Sequence, residues 1–281
     1  MLFEDKKFVI YDGAMGTMLQ KSGLKPGERS DLMNIHCPDA VENVHRLYVE
    51  AGSDIIGTNT FGANAMNLEG TGYTPEEIIS AAVAIAKRAS NGRAKISLDM
   101  GPTGKLLAPM GDLEVEKAYA LFKQQAIAGA QAEVDYVSIE TMSDLEEMKA
   151  AILAVREHTD LGVLATMTFT KSGCTFMGCT PEDFARTAQD MGVLAVGLNC
   201  SLEPQEMFET AQKMAAATTL PLIIKPNAGL PVSEVGSYDT GPDEFVQQML
   251  PFAEIGAKLI GGCCGTTPEY ISKLKKAFEC L

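Results

Sequence analysis

The sequence predicts a single α/β domain folded as a (β/α)8 TIM barrel. Eight short apolar runs alternate with amphipathic stretches along the 281 residues. The runs are apolar throughout, as parallel strands covered by helices on both faces require. A length of about 250 residues is typical of a TIM barrel. A doubly wound open sheet is the alternative that this alternation leaves.

The order of elements follows from the apolar runs and from repeated helix-start signals. The candidate strands are residues 8–11, 54–58, 95–98, 136–139, 162–166, 195–198, 222–224 and 258–260. The triplet Thr-Pro-Glu recurs at 74–76, 180–182 and 267–269, each time giving an N-cap hydroxyl, a proline at the first helical position and an acid in the first turn. Ser143 and Glu146 predict a capping box, and prolines predict three further helix starts, at Pro38, Pro204 and Pro242.

Composition limits the class of protein and its partners. A chain that is 46% hydrophobic can bury one large core, and no linker or charge block divides it, so residues 1–281 are predicted to form one domain. The net charge of −14 disfavours nucleic acid and anionic membrane as partners. Charged residues interrupt the N-terminal segment, which resembles neither a signal peptide nor a membrane span. We therefore expect a cytoplasmic protein with reduced thiols.

Polar and thiol side chains cluster at the carboxyl ends of the predicted strands, where TIM barrels carry their active sites. These residues are Asp12, Asn59, Asp99, Glu140, Asn199, Cys200, Lys225, Cys263 and Cys264. The three histidines, His36, His45 and His158, lie away from every strand end and are interpreted as surface or packing residues.

The cysteines predict a metal site. Cys263 and Cys264 are adjacent in a glycine-rich segment, and glycines let the backbone turn so that neighbouring side chains reach one ion. Cys200 follows the sixth strand on the same barrel face. Three thiolates with an open fourth position are typical of catalytic zinc. Buried packing cysteines and a strained vicinal disulfide are the alternatives, the second being disfavoured by a reducing compartment.

Six motifs together carry a family resemblance. They lie at 12–17, 59–64, 139–142, 197–201, 226–229 and 261–268. Over its whole length the chain resembles the homocysteine S-methyltransferase family, with motifs most similar to those of its cobalamin-dependent branch. The resemblance implies that Cys200, Cys263 and Cys264 bind Zn²⁺ and that homocysteine is methylated to methionine.

The chemistry expected of such a site agrees with the residue types. A free thiol has a pKa of about 8.5, so zinc binding is needed to generate a thiolate at neutral pH. The resemblance and the strand-end positions both make Asp12 and Glu140 candidates for the substrate ammonium. Backbone N–H groups around Gly13 and Ala14 could receive the carboxylate. Asn199 is expected to orient the loop that holds Cys200, within the same binding site.

The methyl donor is less determined by the sequence. The chain ends at Leu281, without room for folate or cobalamin modules, so it is either an excised module or a standalone protein that receives methyl groups from elsewhere. We expect methylcobalamin on a separate corrinoid protein, supplied by a methyltetrahydrofolate methyltransferase. Alternatives are an S-methylmethionine-dependent enzyme and a related thiol methyltransferase subunit. More remote ones are a Schiff-base aldolase using Lys225 and a non-catalytic zinc subunit with four closed ligands. Cys174 and Cys179 have three possible interpretations, as alternative metal ligands, as a redox pair or as cysteines that are close by chance.

Overall fold

The eight predicted strands form one parallel sheet that curls into a barrel. The computed structural model describes residues 6–25, 27–232 and 237–281. The sheet order is β1-β8-β7-β6-β5-β4-β3-β2, and a bridge between Tyr11 and Ile55 joins its two ends. The strands are β1 Val9–Ile10, β2 Ile55–Gly57, β3 Lys95–Met100, β4 Tyr136–Met142, β5 Gly162–Met167, β6 Ala195–Asn199, β7 Leu222–Lys225 and β8 Ala257–Ile260. The TIM barrel is thus confirmed and the open sheet is excluded.

Helices follow the strands and cover the outside of the barrel. They are α1 Met15–Lys21, α2 Met33–His36, α3 Pro38–Ala51, α4 Pro75–Ser90, α5 Val115–Gln131, α6 Leu145–His158, α7 Pro181–Asp190, α8 Pro204–Ala217, α9 Pro242–Met249 and α10 Pro268–Glu279. Within the described ranges, none of these helices has both the length and the apolar character needed to cross a bilayer.

The helix-start predictions hold with two exceptions in the capping, since Thr267 makes no side-chain cap and Ser143 forms no capping box. Each predicted proline occupies the first helical position, where its missing N–H costs no hydrogen bond. The capping box assigned to Ser143 and Glu146 is wrong. Asp144 is the N-cap instead, and its carboxylate accepts the Glu146 N–H at 2.8 Å. The helix therefore begins at Leu145, one residue later than the predicted box requires.

Alternation along the strands divides the core into two layers. Side chains pointing inwards form a compact cluster inside the barrel, including Val9, Ile55, Leu164, Ile223 and Leu259. Their sequence neighbours face the helices and join a larger outer core. Successive residues of a strand point to opposite faces, which explains the alternation.

The seam between β1 and β2 is the shortest pairing of the barrel. Strand β1 has two residues, and beyond them only the Tyr11–Ile55 bridge reaches β2. Asp54 strengthens the seam from the side of β2. Its backbone N–H donates to the Ile10 carbonyl at 2.7 Å, and its carboxylate accepts the Ile10 N–H at 2.9 Å. The acid therefore replaces part of the missing ladder.

Candidate metal and substrate site

A cavity of about 390 Å³ opens at the carboxyl ends of the strands, the face predicted to carry the site. The segment from Asp12 to Thr17 and the cysteines line neighbouring parts of it, since the Gly262 N–H donates to the Asp12 carbonyl at 3.1 Å and the Gly265 N–H donates to Thr17 Oγ1 at 3.1 Å. Asp99, Glu140 and Lys225 also line it. A space of this size accommodates a small metabolite, since ligand cavities begin at about 300 Å³.

The structure brings the three predicted cysteines together, and we call Cys200, Cys263 and Cys264 the thiol cluster. Their Sγ atoms all lie within 4.8 Å of one another, and the Sγ atoms of Cys200 and Cys264 are 3.8 Å apart. Tetrahedral zinc with bonds of about 2.3 Å holds its sulfur ligands at about 3.8 Å from each other. The cluster therefore fits a zinc ion without rearrangement of the backbone.

A tight turn after β8 presents the vicinal cysteines. Cys263 N–H donates to the Pro226 carbonyl at 2.8 Å, and the Cys264 carbonyl accepts the Ala228 N–H at 2.9 Å. Gly265 closes the turn with φ +85°, a left-handed conformation that favours glycine. Because both cysteine backbones are fixed to the loop after β7, the two side chains cannot return to the alternating directions of a strand.

Left-handed backbone also positions Cys200. Cys200 and Ser201 have φ of 62° and 61°, rare values for residues with a Cβ, and Thr141 at the end of β4 has φ 62°. Such conformations persist only where the surrounding structure enforces them, and they concentrate at functional sites. Here Cys200 N–H donates to the Lys225 carbonyl at 3.1 Å, which fixes the loop to strand β7.

Asn199 lies behind the cavity rather than in its wall. Its side chain is fully buried, and its Oδ1 accepts from the Thr141 N–H at 2.8 Å and the Thr166 hydroxyl at 2.7 Å. Its Nδ2 donates to Thr141 Oγ1 at 2.7 Å and approaches Cys263 Sγ at 3.9 Å. The pairing of β4 with β5 shifts register at this point, and such irregularities re-aim side chains. Asn199 thus supports both the thiol cluster and the bulge that follows Glu140.

The three thiols share protons. Hydrogen bonds from Cys263 and Cys264 lower the pKa of the Cys200 thiol, because they favour its thiolate form. The same bond to Cys200 raises the pKa of both Cys263 and Cys264, and burial raises them further. Because the three thiols disfavour carrying more than one negative charge, a bound cation would stabilise their further deprotonation.

Buried acids line the same cavity as the thiol cluster. Asp12 is 6% exposed, and its Oδ2 accepts the Gly57 N–H at 2.9 Å. Burial raises the pKa of Asp12 to about 7, although the charge of Lys225 opposes the shift. Burial also raises the pKa of Asp99, and the charge of Glu140 adds to it. Asp99 Oδ1 is buried with no hydrogen-bond partner among the described residues.

Lys225 forms a buried ion pair with Glu140. Its Nζ donates to Glu140 Oε2, and both side chains are almost enclosed, at 7% and 12% exposure. Burial alone would lower the pKa of Lys225, but the neighbouring acids, Glu140 foremost, leave it raised. A Schiff-base lysine needs a lowered pKa to be nucleophilic, so this ion pair disfavours the aldolase alternative. Sequence reasoning missed the pair because its members are 85 positions apart.

The turn after β1 brings backbone donors to the cavity. Gly13, Ala14 and Met15 line it, and helix α1 starts here with no side chain capping it. The Ala14 N–H already donates to Thr266, at 3.2 Å to the hydroxyl and 3.3 Å to the carbonyl. The predicted segment thus lines the cavity, but the Ala14 N–H is occupied by Thr266.

The other singled-out residues lie apart from the thiol cluster. In the part of the chain that the structure describes, the cluster is the single group of three or more potential ligands. Cys179 donates its thiol to the Thr180 carbonyl, and burial raises its pKa to about 11. Asn59 donates to Ser30 and Asn34, which is a structural role. His45 is fully buried, and the other two histidines are exposed, as predicted.

Fold and site together define a TIM-barrel protein that presents three sulfur atoms to a small, acid-lined cavity. The model of the family described as homocysteine S-methyltransferase matches residues 9–278. The chain belongs to the homocysteine S-methyltransferase family.

Two curated relatives support this membership. The methionine synthases of Mycobacterium leprae and Mycobacterium tuberculosis are each 32% identical to the chain over 294 residues. The aligned region covers 97% of this chain and 24% and 25% of the two synthases, respectively. The chain thus spans about a quarter of the length of these relatives.

Solved structures with the same fold include the homocysteine methyltransferase MmuM from Escherichia coli. Its metallated form has a TM-score of 0.84 at 23% identity, and the match covers 98% of each chain. Its apo form has a TM-score of 0.78. The carboxyl transferase domain of pyruvate carboxylase from Rhizobium etli is more distant, with a TM-score of 0.57 at 12% identity over 48% of that chain.

Proposed function

We propose that this protein is a zinc-dependent S-methyltransferase that binds homocysteine as the methyl acceptor and releases methionine. Cys200, Cys263 and Cys264 would hold Zn²⁺, and a methylcorrinoid would supply the methyl group. The observation that carries the proposal is the convergence of the three sulfur atoms in the wall of a cavity that buried acids also line. Family membership supports the choice of acceptor.

The ligand set explains the part assigned to the metal. When bound, zinc lets the homocysteine thiol lose its proton at neutral pH and so supplies the nucleophile. All three of the chain's own ligands are thiolates, whose negative charge keeps a sulfur nucleophile electron-rich. The position of the thiol cluster at the cavity wall leaves space for a fourth ligand from the substrate.

The buried acids and the turn after β1 would hold the amino-acid end of homocysteine. Asp12 and Glu140 would bind the ammonium, because both are buried acids that line the cavity. Asp12 is oriented by the Gly57 N–H, which leaves its second oxygen for the substrate. Backbone N–H groups of Gly13 and the first turn of α1 would receive the carboxylate, with the Ala14 N–H holding Thr266 beneath them.

Apolar side chains around the cavity mouth support a donor carried by a protein. Six of the nine exposed large apolar side chains in the described ranges lie on loops that follow strand carboxyl ends, and we call them the apolar rim: Phe61, Leu106, Met110, Phe176, Leu230 and Val232. Clustered exposed apolar residues are typical of interaction sites. A small sulfonium donor would need no such surface, so the rim favours a corrinoid protein over S-methylmethionine.

Metal analysis of cysteine variants tests the zinc site. Cys200→Ala, Cys263→Ala and Cys264→Ala should each lose most of the zinc that the purified protein carries, because two thiolates bind a divalent ion far more weakly than three. Cys174→Ala and Cys179→Ala are matched controls from the same barrel face and should keep it. Full zinc in all three cluster variants would contradict the assignment.

Calorimetry tests the acceptor. Homocysteine added near neutral pH should release about one proton per site, since a metal takes up the thiol in deprotonated form. Buffers of different ionisation enthalpy report that proton. Asp12→Asn and Glu140→Gln should weaken homocysteine binding while zinc stays bound. Equal binding of a simple thiol without an amino group, unaffected by either change, would indicate another acceptor.

A further inference from the structure

Lys225 is a buried cation in the cavity wall that the chemistry above does not use. It is the last residue of β7, and its side chain is 7% exposed. Of the cavity-lining residues that the structure describes, it is the single basic one. A lone lysine among acids and thiols therefore needs its own explanation.

The surroundings of Lys225 fix it in one place. Its Nζ donates to Glu140 Oε2 and lies 4.3 Å from the centroid of the Tyr11 ring, within the range of a cation–π contact. Gly261 leaves room for Tyr11, because a Cβ there would approach Tyr11 Cβ to 2.7 Å and the Asp12 carbonyl oxygen to 2.9 Å. The ammonium is thus held by a carboxylate on one side and by a ring face on the other.

Stability alone does not account for such a pair. Removing two charges from water costs several kcal/mol per ion, and buried ion pairs are often no better than apolar residues of the same volume. The pair connects β4 to β7 across the barrel and engages one oxygen of a residue assigned to the substrate ammonium. Its placement at the binding wall points to a role in binding.

Building on the proposed function, we propose that Lys225 is a positioning residue for the amino group of the acceptor. Its ammonium holds Glu140 by Oε2, so that Oε1 is presented to the substrate ammonium. It also supplies the positive charge that allows Glu140 to lie beside Asp12 and Asp99 in one enclosed space. Lys225 itself touches Glu140 and Tyr11, and it acts on the substrate through Glu140.

The test compares homocysteine with its des-amino analogue, mercaptobutyrate, on zinc-loaded protein. Lys225→Met keeps the length of the stem and removes the charge. We expect it to weaken homocysteine binding about tenfold to a hundredfold, the range of a hydrogen bond between charged groups. Mercaptobutyrate binding and zinc content should not change, because neither involves Glu140. Lys225→Arg, which retains the charge, should restore part of the affinity.

Two further variants keep the test decisive. Lys95→Met is the matched control, because Lys95 begins β3 at the other end of the barrel and pairs with Asp135 at 2.7 Å. It should bind homocysteine like the wild type. Adding Lys225→Met to the Glu140→Gln variant should cause no further loss of homocysteine affinity. Residue 140 is then no longer an acid, so removing the lysine leaves no unpaired charge there. That comparison remains available if the single Lys225 variant does not fold.

Three results would overturn the role of Lys225. They are unchanged homocysteine affinity in Lys225→Met, equal weakening of homocysteine and mercaptobutyrate, and a further loss of affinity in the Glu140→Gln background. Failure of the proposed function has a different signature, since wild-type protein would then bind no homocysteine at all.

Discussion

At the scale of single residues, Asp12 shows how burial changes the chemistry of a carboxyl group. Its pKa rises from the ordinary 3.8 to about 7 because the side chain is enclosed beside other acids. In the unfolded chain the same group ionises near 3.8. Between these two values the folded protein keeps a proton that the unfolded chain has lost, so raising the pH favours unfolding.

A pH series on metal-free, reduced protein measures this contribution. The free energy of unfolding should fall by about 2 kcal/mol more in the wild type than in Asp12→Asn between pH 5 and pH 7. The amide has no proton to lose, and its oxygen can still accept the Gly57 N–H. Urea unfolding at several pH values gives both curves. Parallel curves would mean that Asp12 titrates normally in the folded protein.

Some site residues could be predicted from the sequence and others could not. The cysteines could be predicted because flanking glycines and strand ends leave a local signal. The Lys225–Glu140 pair has no such signal, since it depends on two strands that meet across the barrel. The left-handed Thr141 was equally hidden, because threonine rarely adopts positive φ and only the Asn199 amide enforces it here.

At the scale of elements, helix starts that look alike in sequence differ in energy. Thr74 forms a complete capping box: its hydroxyl accepts the Glu77 N–H at 3.3 Å, and the Glu77 carboxylate accepts the Thr74 N–H at 2.9 Å. Thr267 begins α10 with the same Thr-Pro-Glu triplet but makes no side-chain cap. The repeated motif therefore marks where helices start without fixing how much each start stabilises the protein.

Matched substitutions separate the two cases. Thr74→Ala should reduce the free energy of unfolding by about 1 kcal/mol, because it leaves a helix N–H without its acceptor. Thr267→Ala should cost markedly less. Chemical denaturation of both variants provides the measurement, with zinc content as a check that the site is intact. Equal losses would show that Thr267 caps its helix in solution.

Boundaries of elements were the weaker part of the sequence-based prediction. All eight predicted strands are present in the structure. They could be predicted because parallel strands covered by helices are apolar along their whole length. Strand β4, however, continues three residues beyond the predicted end at Ile139. Glu140 and Thr141 are polar, so the sequence predicts a loop there, but the strand continues through both residues in the structure.

At the scale of the whole molecule, the apolar rim leads to a prediction about the donor. Replacing Phe176 and Leu230, which are 78% and 65% exposed, with serine should lower methyl transfer from a corrinoid protein about tenfold. Homocysteine affinity should stay the same, because neither residue lines the cavity. Leu153→Ser is a matched control, since Leu153 is exposed on the outer helix α6.

Rates of methionine formation decide this prediction. They are compared with methylcobalamin on a corrinoid protein, free methylcobalamin and S-methylmethionine. The rim variants should be slow only with the protein-bound donor. Fast turnover of the wild type with the sulfonium, and none with either corrinoid, would assign a different donor.

The short pairing at the barrel seam has a consequence for solubility. The seven other junctions pair between two and five residues each, whereas β1 and β2 meet through a single bridge and the hydrogen bonds of Asp54. We therefore expect a loosening barrel to part first between these two strands, which would expose two edges that could template strand addition from another molecule. The charged pair of Lys6 and Asp54, 2.5 Å apart, lies beside this gap. Charges at a strand edge disfavour such pairing. Asp54, which connects the two strands in the closed barrel, would therefore also reduce aggregation through the opened edges.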